Sequence, residues 1–129
     1  MPALNFQKRF ADDVERRIKR QTVRAHRKDN RPHCKVGDRL KLYTGMRTKK
    51  CRLLDVVTVT RIDTIKINTI DMWLNGNLLH ATLHSRDADM TDDEFAEADG
   101  FDGFMDMAAW FAETHGLPFE GVVIYWGEE

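Results

Sequence analysis

Lys19-Arg20-Gln21-Thr22 sets an amine and a hydroxyl three residues apart, inside a run of cations that also contains Arg16, Arg17 and Arg24. A lysine acts as a general base only when its pKa falls toward neutrality, and neighbouring positive charge together with partial burial pushes it that way. A threonine hydroxyl becomes a nucleophile once a base takes its proton, so the two side chains form a minimal acyl-transfer pair. The same residues also read as an ordinary solvated basic segment. A second group is Asp99-Gly100-Phe101, in an acidic stretch with Glu94, Glu97 and Asp102. A carboxyl group brought from there to the basic segment would protonate a leaving amine or hold the amino group of a base. Otherwise the stretch is a helix connector in which Gly100 supplies a positive φ.

Metal chemistry has candidate ligands in His33, Cys34, Cys51, His80, His84 and His115, but their spacing is poor. There is no C-x-x-C pair and no helical H-x-x-x-H pair, and His80 and His84, four apart in strand-like sequence, would sit ~13 Å from each other. No glycine-rich phosphate loop and no G-x-S-x-G elbow is present. The expectation is therefore a site with neither metal nor cofactor.

The formal net charge of −1 conceals a division along the chain. Residues 1–53 carry 17 Lys and Arg against 5 acids, and residues 54–129 carry 3 against 16. Such asymmetry marks either a basic surface for an anionic ligand or a basic half folded against an acidic one. The 129 residues fit one domain, and 42% hydrophobic with 32% charged residues gives a polar-shelled globule rather than a disordered chain. Two cysteines form no disulfide framework, and Met1-Pro2-Ala3-Leu4 runs directly into charged sequence, so a reducing cytoplasmic setting is expected. The apolar run Val122 to Trp126 is far short of the ~20 residues that span a bilayer.

These groups need a scaffold. Phe10, Val14 and Ile18 at four-residue spacing predict an amphipathic helix over 8–17, followed by a long charged loop over 25–35. Alternating and β-branched residues predict strands over 39–43, 52–62 and 64–70. Asn75-Gly76 between apolar runs is a hairpin signal, pairing strands near 66–74 and 78–83. Thr91-Asp92-Asp93-Glu94 is a capping box opening a helix that ends at Gly100. A second helix over 102–115 carries a stripe of Phe104, Met107, Ala108, Phe111 and Ala112 and stops at Gly116. Residues 119–126 close the sheet, giving a mixed α+β domain with a β core.

Arg9-Phe10 with Asp12-Asp13-Val14, Lys19-x-x-Thr22-Val23-Arg24, Val36-Gly37-Asp38 before a strand and Asp99-Gly100-Phe101 before a helix together resemble the ASCH domain family, of PUA-like fold. The resemblance runs from about Phe6 to Trp126. It implies a single domain built as a small β-barrel with peripheral helices and a cleft for a nucleoside or RNA. Compact bacterial members of that family are amidohydrolases that remove the acetyl group of N(4)-acetylcytidine. Their K-x-x-T lysine and threonine match Lys19 and Thr22. Their late glutamate falls on Asp99, one methylene shorter, with Glu97 as a nearby substitute.

The expectation is thus an amidohydrolase in which Lys19 activates Thr22 and Asp99 protonates the leaving amine. Arg9, Arg16, Arg17, Arg20 and Arg24 would bind the ligand. The competing reading is a non-catalytic RNA- or nucleotide-binding module that uses Arg16, Arg17, Arg20, Arg24, Arg27, Lys28 and Arg31.

Overall fold

The computed structural model describes residues 2–79 and 91–127. In chain order the elements are β1 (Ala3–Phe6), α1 (Lys8–Glu15), β2 (Gln21–Ala25), β3 (Arg39–Thr44), β4 (Arg52–Ile67), β5 (Met72–Leu74), β6 (Asn77–Leu78), α2 (Asp92–Ala98), α3 (Phe104–Thr114) and β7 (Phe119–Trp126). The fold is α+β, with seven strands in one sheet and three helices among the described residues.

The spine of the sheet is β4. The two strands expected over 52–62 and 64–70 are this single strand, because the buried Asp63 stays in the ladder opposite Val123. Its carboxylate accepts from Asn75 Nδ2 at 2.9 Å and pairs with Arg61, which offsets the cost of burying an acid. The strand ends where Asn68 N donates to Asp71 O at 2.7 Å, so 68–70 belong to a turn. The first part of β4 pairs antiparallel with β3, whose far edge carries β1 in parallel, and the second part pairs with β7, whose far edge carries β2. The change of partner coincides with a register shift between Val59 and Arg61, and such irregularities bend a strand. The Asn75-Gly76 turn, with φ of 51° and 82°, joins β5 to β6 as expected, but the first hairpin strand is only Met72–Leu74, because 66–67 belong to β4 and the turn after it breaks the expected run 66–74. The expected second hairpin strand beyond Leu79 lies outside the described residues.

Among the described residues the ladders end at β1, β2 and β6, so the sheet is open and does not close into the expected barrel. Edges β1 and β2 are joined instead by a side chain, since Arg24 Nη2 donates to Asn5 O at 2.8 Å.

Helix α1 buries Phe10, Ala11 and Val14. Ile18, expected on that stripe, is 66% exposed: Arg17 takes φ 63° and the chain leaves the helix one turn early. Helix α3 buries Phe104, Met107, Ala108 and Phe111, while Ala112 is exposed in its last turn. The charged loop after β2 is exposed over 26–32 and anchored at its end, with Cys34 buried and the His33 ring 2.7 Å from Ala25 O. No helix among the described residues is long and apolar enough to cross a membrane.

The charge division resolves into ion pairs. Arg9–Asp106, Arg17–Asp55 and Lys19–Asp99 join the basic half to the acidic half. Arg16–Asp12, Arg27–Asp29 and Arg52–Glu15 neutralise the basic half within itself.

Strand β2 can approach β7 closely because Gly121 has no side chain. A Cβ there would lie 2.2 Å from Arg24 O, and backbone cannot yield as a side-chain tip would. Gly121→Ala is expected to lower the unfolding free energy by ~1–3 kcal/mol, as overpacking typically does. Urea unfolding followed by circular dichroism checks this; an unchanged midpoint would show that β2 has room to shift.

Candidate active site

Three segments converge with β2 and α3 on one cavity. The first is the extended stretch between α1 and β2, started by a sharp helix exit in which Ile18 N and Lys19 N both donate to Asp13 O, at 2.9 and 3.0 Å. From there Lys19 turns inward, 3% exposed, whereas Arg20 turns to the opposite side and donates from Nε to Arg17 O at 3.1 Å. The second is the α2–α3 connector. Its Thr91 capping box fixes the start of α2, which ends with Asp99 as C-cap and Gly100 at φ 101°. The third is β1 with its exit into α1, which supplies Phe6 and Phe10.

Asp99 is 4% exposed and meets Lys19 twice. Lys19 Nζ lies 3.3 Å from Asp99 Oδ1 and donates to the Asp99 carbonyl oxygen. Gln21 Nε2 donates to the same Oδ1 at 3.4 Å. Burial lowers the Lys19 pKa from its ordinary value and raises that of Asp99, in each case against the attraction of the other. Both shifts favour the uncharged forms, so amine plus carboxylic acid comes closer in free energy to ammonium plus carboxylate than it is in water. Gly100 makes the close approach possible. A Cβ at that position would sit 2.9 Å from Phe10 Cδ1 and 3.4 Å from Lys19 Cδ.

Thr22 is buried and lines the same cavity. Its Oγ1 accepts from Arg24 Nε at 3.2 Å, and no hydrogen bond links it to Lys19. Burial also lowers the Arg24 pKa, though a guanidinium keeps its proton in a protein. The cavity holds about 320 Å³, at the small end for ligand sites. Its walls are aromatic. Phe10 meets Phe101 edge-on at 5.2 Å and Trp110 at 6.1 Å between centroids, and Arg24 lies 4.9 Å over the Phe6 ring. Such walls with a few convergent polar groups suit a small planar heteroaromatic ring.

The structure therefore brings Lys19, Thr22, Arg24 and Asp99 together, and it sets the other four expected arginines elsewhere. Arg9 pairs with Asp106 and stacks on Phe101, Arg16 reaches Asp12 at the surface, and Arg17 and Arg20 line a different recess beside Trp126. Glu97 is not in the lining. Gln21 escaped sequence reasoning although it stands inside the K-x-x-T segment, and Phe6 and Trp110 carry no local signal that separates a cavity wall from core. His80 and His84 lie outside the described residues. No family model, curated protein or solved structure matches the chain.

A buried ion pair that loses one partner leaves an uncompensated group, at a cost of ~3–5 kcal/mol. Lys19→Met is expected to lose about that much stability, and Lys19→Met combined with Asp99→Asn to recover a large part of it. In the single variant Asp99 keeps a raised pKa, so its stability should fall as pH rises above the ordinary carboxylate value of 3.8. Chemical unfolding of the set across pH provides the check; strictly additive losses would show that the pair is not coupled.

Proposed function

We propose that this chain is an ASCH-like domain of PUA-like fold that hydrolyses the acetyl amide of N(4)-acetylcytidine or a similarly acylated nucleobase. The observation that carries the reading is the buried Lys19–Asp99 pair beside Thr22 in an aromatic-walled cavity. On the fold, the reading is supported by the bond from Arg24 of β2 to Asn5 of β1, both of which line that cavity. Asp99 reaches Lys19 despite being one methylene shorter than the glutamate of the family it resembles.

With one proton between them, the pair provides a base and an acid at once: the amine of Lys19 and the carboxylic acid of Asp99. Lys19 takes the Thr22 proton as Oγ1 attacks the acetyl carbonyl carbon, and Arg24 donates to the oxyanion that forms. The C–N bond then breaks while the Asp99 proton passes to the departing cytosine amine. What remains is an acetyl ester on Thr22, an ammonium and a carboxylate. Water attacks the ester and gives a proton to Asp99. The Thr22 oxygen recovers its proton from Lys19, acetic acid leaves and loses its proton to bulk water, and both groups return to their starting state.

The test is conversion of N(4)-acetylcytidine to cytidine, followed by chromatography, by the unaltered protein and by Lys19→Ala and Thr22→Ala. Each variant should lose on the order of a hundredfold or more. Absence of turnover by the unaltered protein sinks the reading, and activity that survives Thr22→Ala would replace the acyl-enzyme with direct attack by water.

The rate should also follow the one-proton state of the pair. Below the lower titration both groups are protonated and the base is lost; above the upper one both are deprotonated and the acid is lost. Because Asp99 is raised and Lys19 lowered, both limbs of the pH–rate profile should fall inside the interval from 3.8 to 10.5 set by the ordinary values.

A further inference from the structure

The basic loop that follows β2 takes no part in the chemistry above, yet it arches over a second cavity of about 280 Å³. The floor is aliphatic, made by Ile62, Val122 and Ile124, and the rim carries His26, Arg27 and Arg31. Strand register ties this cavity to the first. Thr22 stands opposite Ile124 and Arg24 opposite Val122, while Ile124 stands opposite Ile62 on the other side. Directly opposed residues of antiparallel strands project to the same face with Cβ atoms ~4.5–5.5 Å apart. The aliphatic floor and the Thr22–Arg24 edge of the candidate active site are thus neighbouring columns of one sheet face.

The loop holds the Arg27 guanidinium and the Arg31 backbone in place. Asp29 accepts from Arg27 Nη2 at 2.9 Å and from the Arg31 backbone N–H at 3.0 Å, and Asn30 turns the chain at φ 59°. Asp29 compensates Arg27, so the rim keeps a net positive charge from Arg31. An apolar floor under such a rim suits a ligand with a flat or aliphatic body and an anionic end. Beside a cleft for a nucleobase, the group with that chemistry is the phosphate of a nucleotide, together with the sugar or base next to it.

We propose that the cavity beneath loop 26–34 is a phosphate-recognising subsite, which makes a nucleotide rather than a free nucleoside the preferred ligand. The assignment rests on the nucleobase reading of the Lys19 cleft but not on its chemistry. It makes the basic half of the chain a specificity device for a phosphorylated ligand.

Binding can be measured without turnover by calorimetry with cytidine, cytidine 5′-monophosphate, the dinucleotide cytidylyl-3′,5′-cytidine and inorganic phosphate, at two salt concentrations. A charge-assisted contact should make a phosphorylated cytidine bind on the order of tenfold more tightly than cytidine, with the advantage shrinking as salt rises. In Arg27→Gln/Arg31→Gln that ratio should fall to about one, whereas Lys49→Gln, an exposed site between β3 and β4, should keep it. A gain for the monophosphate identifies a free nucleotide, and a gain confined to the dinucleotide identifies a strand. Equal binding of all cytidine ligands, binding of inorganic phosphate alone, or a ratio that survives the double substitution overturns the subsite. Failure of catalysis appears separately, as phosphate-dependent binding without conversion of the acetylated nucleoside.

Discussion

Lys19 and Asp99 are each almost fully shielded from solvent, and neither could be held there without the other. Their contact ties the segment leaving α1 to the connector between α2 and α3, 80 positions apart in sequence. It thereby fixes how the first helix and the last two helices sit against the sheet edge. Several local features serve this one contact. The left-handed turn at Arg17 ends α1 early, the Thr91 capping box sets the phase of α2, and Gly100 leaves the space that a Cβ would fill against Phe10. The arrangement costs stability that an apolar pair of equal volume would not. An amine and a carboxyl both shifted toward their uncharged forms are what it yields in return.

Around the pair the aromatic residues act both as core and as wall. Phe101 packs on Phe10, Trp110 and Phe111, and Phe111 continues to Phe119 on β7, so the rings that line the cavity are continuous with those that hold α3 on the sheet. Phe6 joins the same layer to Trp126. The walls are thus built from rings that also pack in the core. On the open side, Arg24 spans from Thr22 to Asn5 and occupies the place where a strand ladder would otherwise close the sheet. Asn5 and Arg24, on either side of that gap, both line the cavity.

The charge division along the chain has a mixed outcome in three dimensions. Arg9, Arg17 and Lys19 find acids from the other half, as expected for a basic half folded against an acidic one. Arg16, Arg27 and Arg52 find acids close to hand, so the surplus of 12 positive charges in residues 1–53 does not gather into one patch. Instead Arg27 and Arg31 of the loop after β2 line one cavity, while Arg17, Arg20 and Arg39 line another.

Much of this was legible in the sequence wherever the physical cause is local. The capping box, the Asn75-Gly76 turn, the β-branched run of β4 and the stripe of α3 each depend on residues a few positions apart. The K-x-x-T segment and Asp99 stood out through the family resemblance, since by residue type alone they read equally as a solvated basic segment and an acidic connector. Asp63, read as a break between strands, and Ile18, read as core, were misjudged because a buried acid's partners and a helix's exit angle come from elsewhere in the fold. Sequence by itself could not say which arginines reach the cavity, since five candidates of one type differ only in the direction their backbone gives them. It could not say that Gln21 meets Asp99, or that the loop after β2 covers a sheet face beside Thr22. Composition and local pattern determined an α+β domain with a basic first half and a candidate Lys–Thr pair. Tertiary structure alone decided that Lys19 is buried against Asp99, because burial is set by everything packed around a side chain and by nothing in the side chain itself.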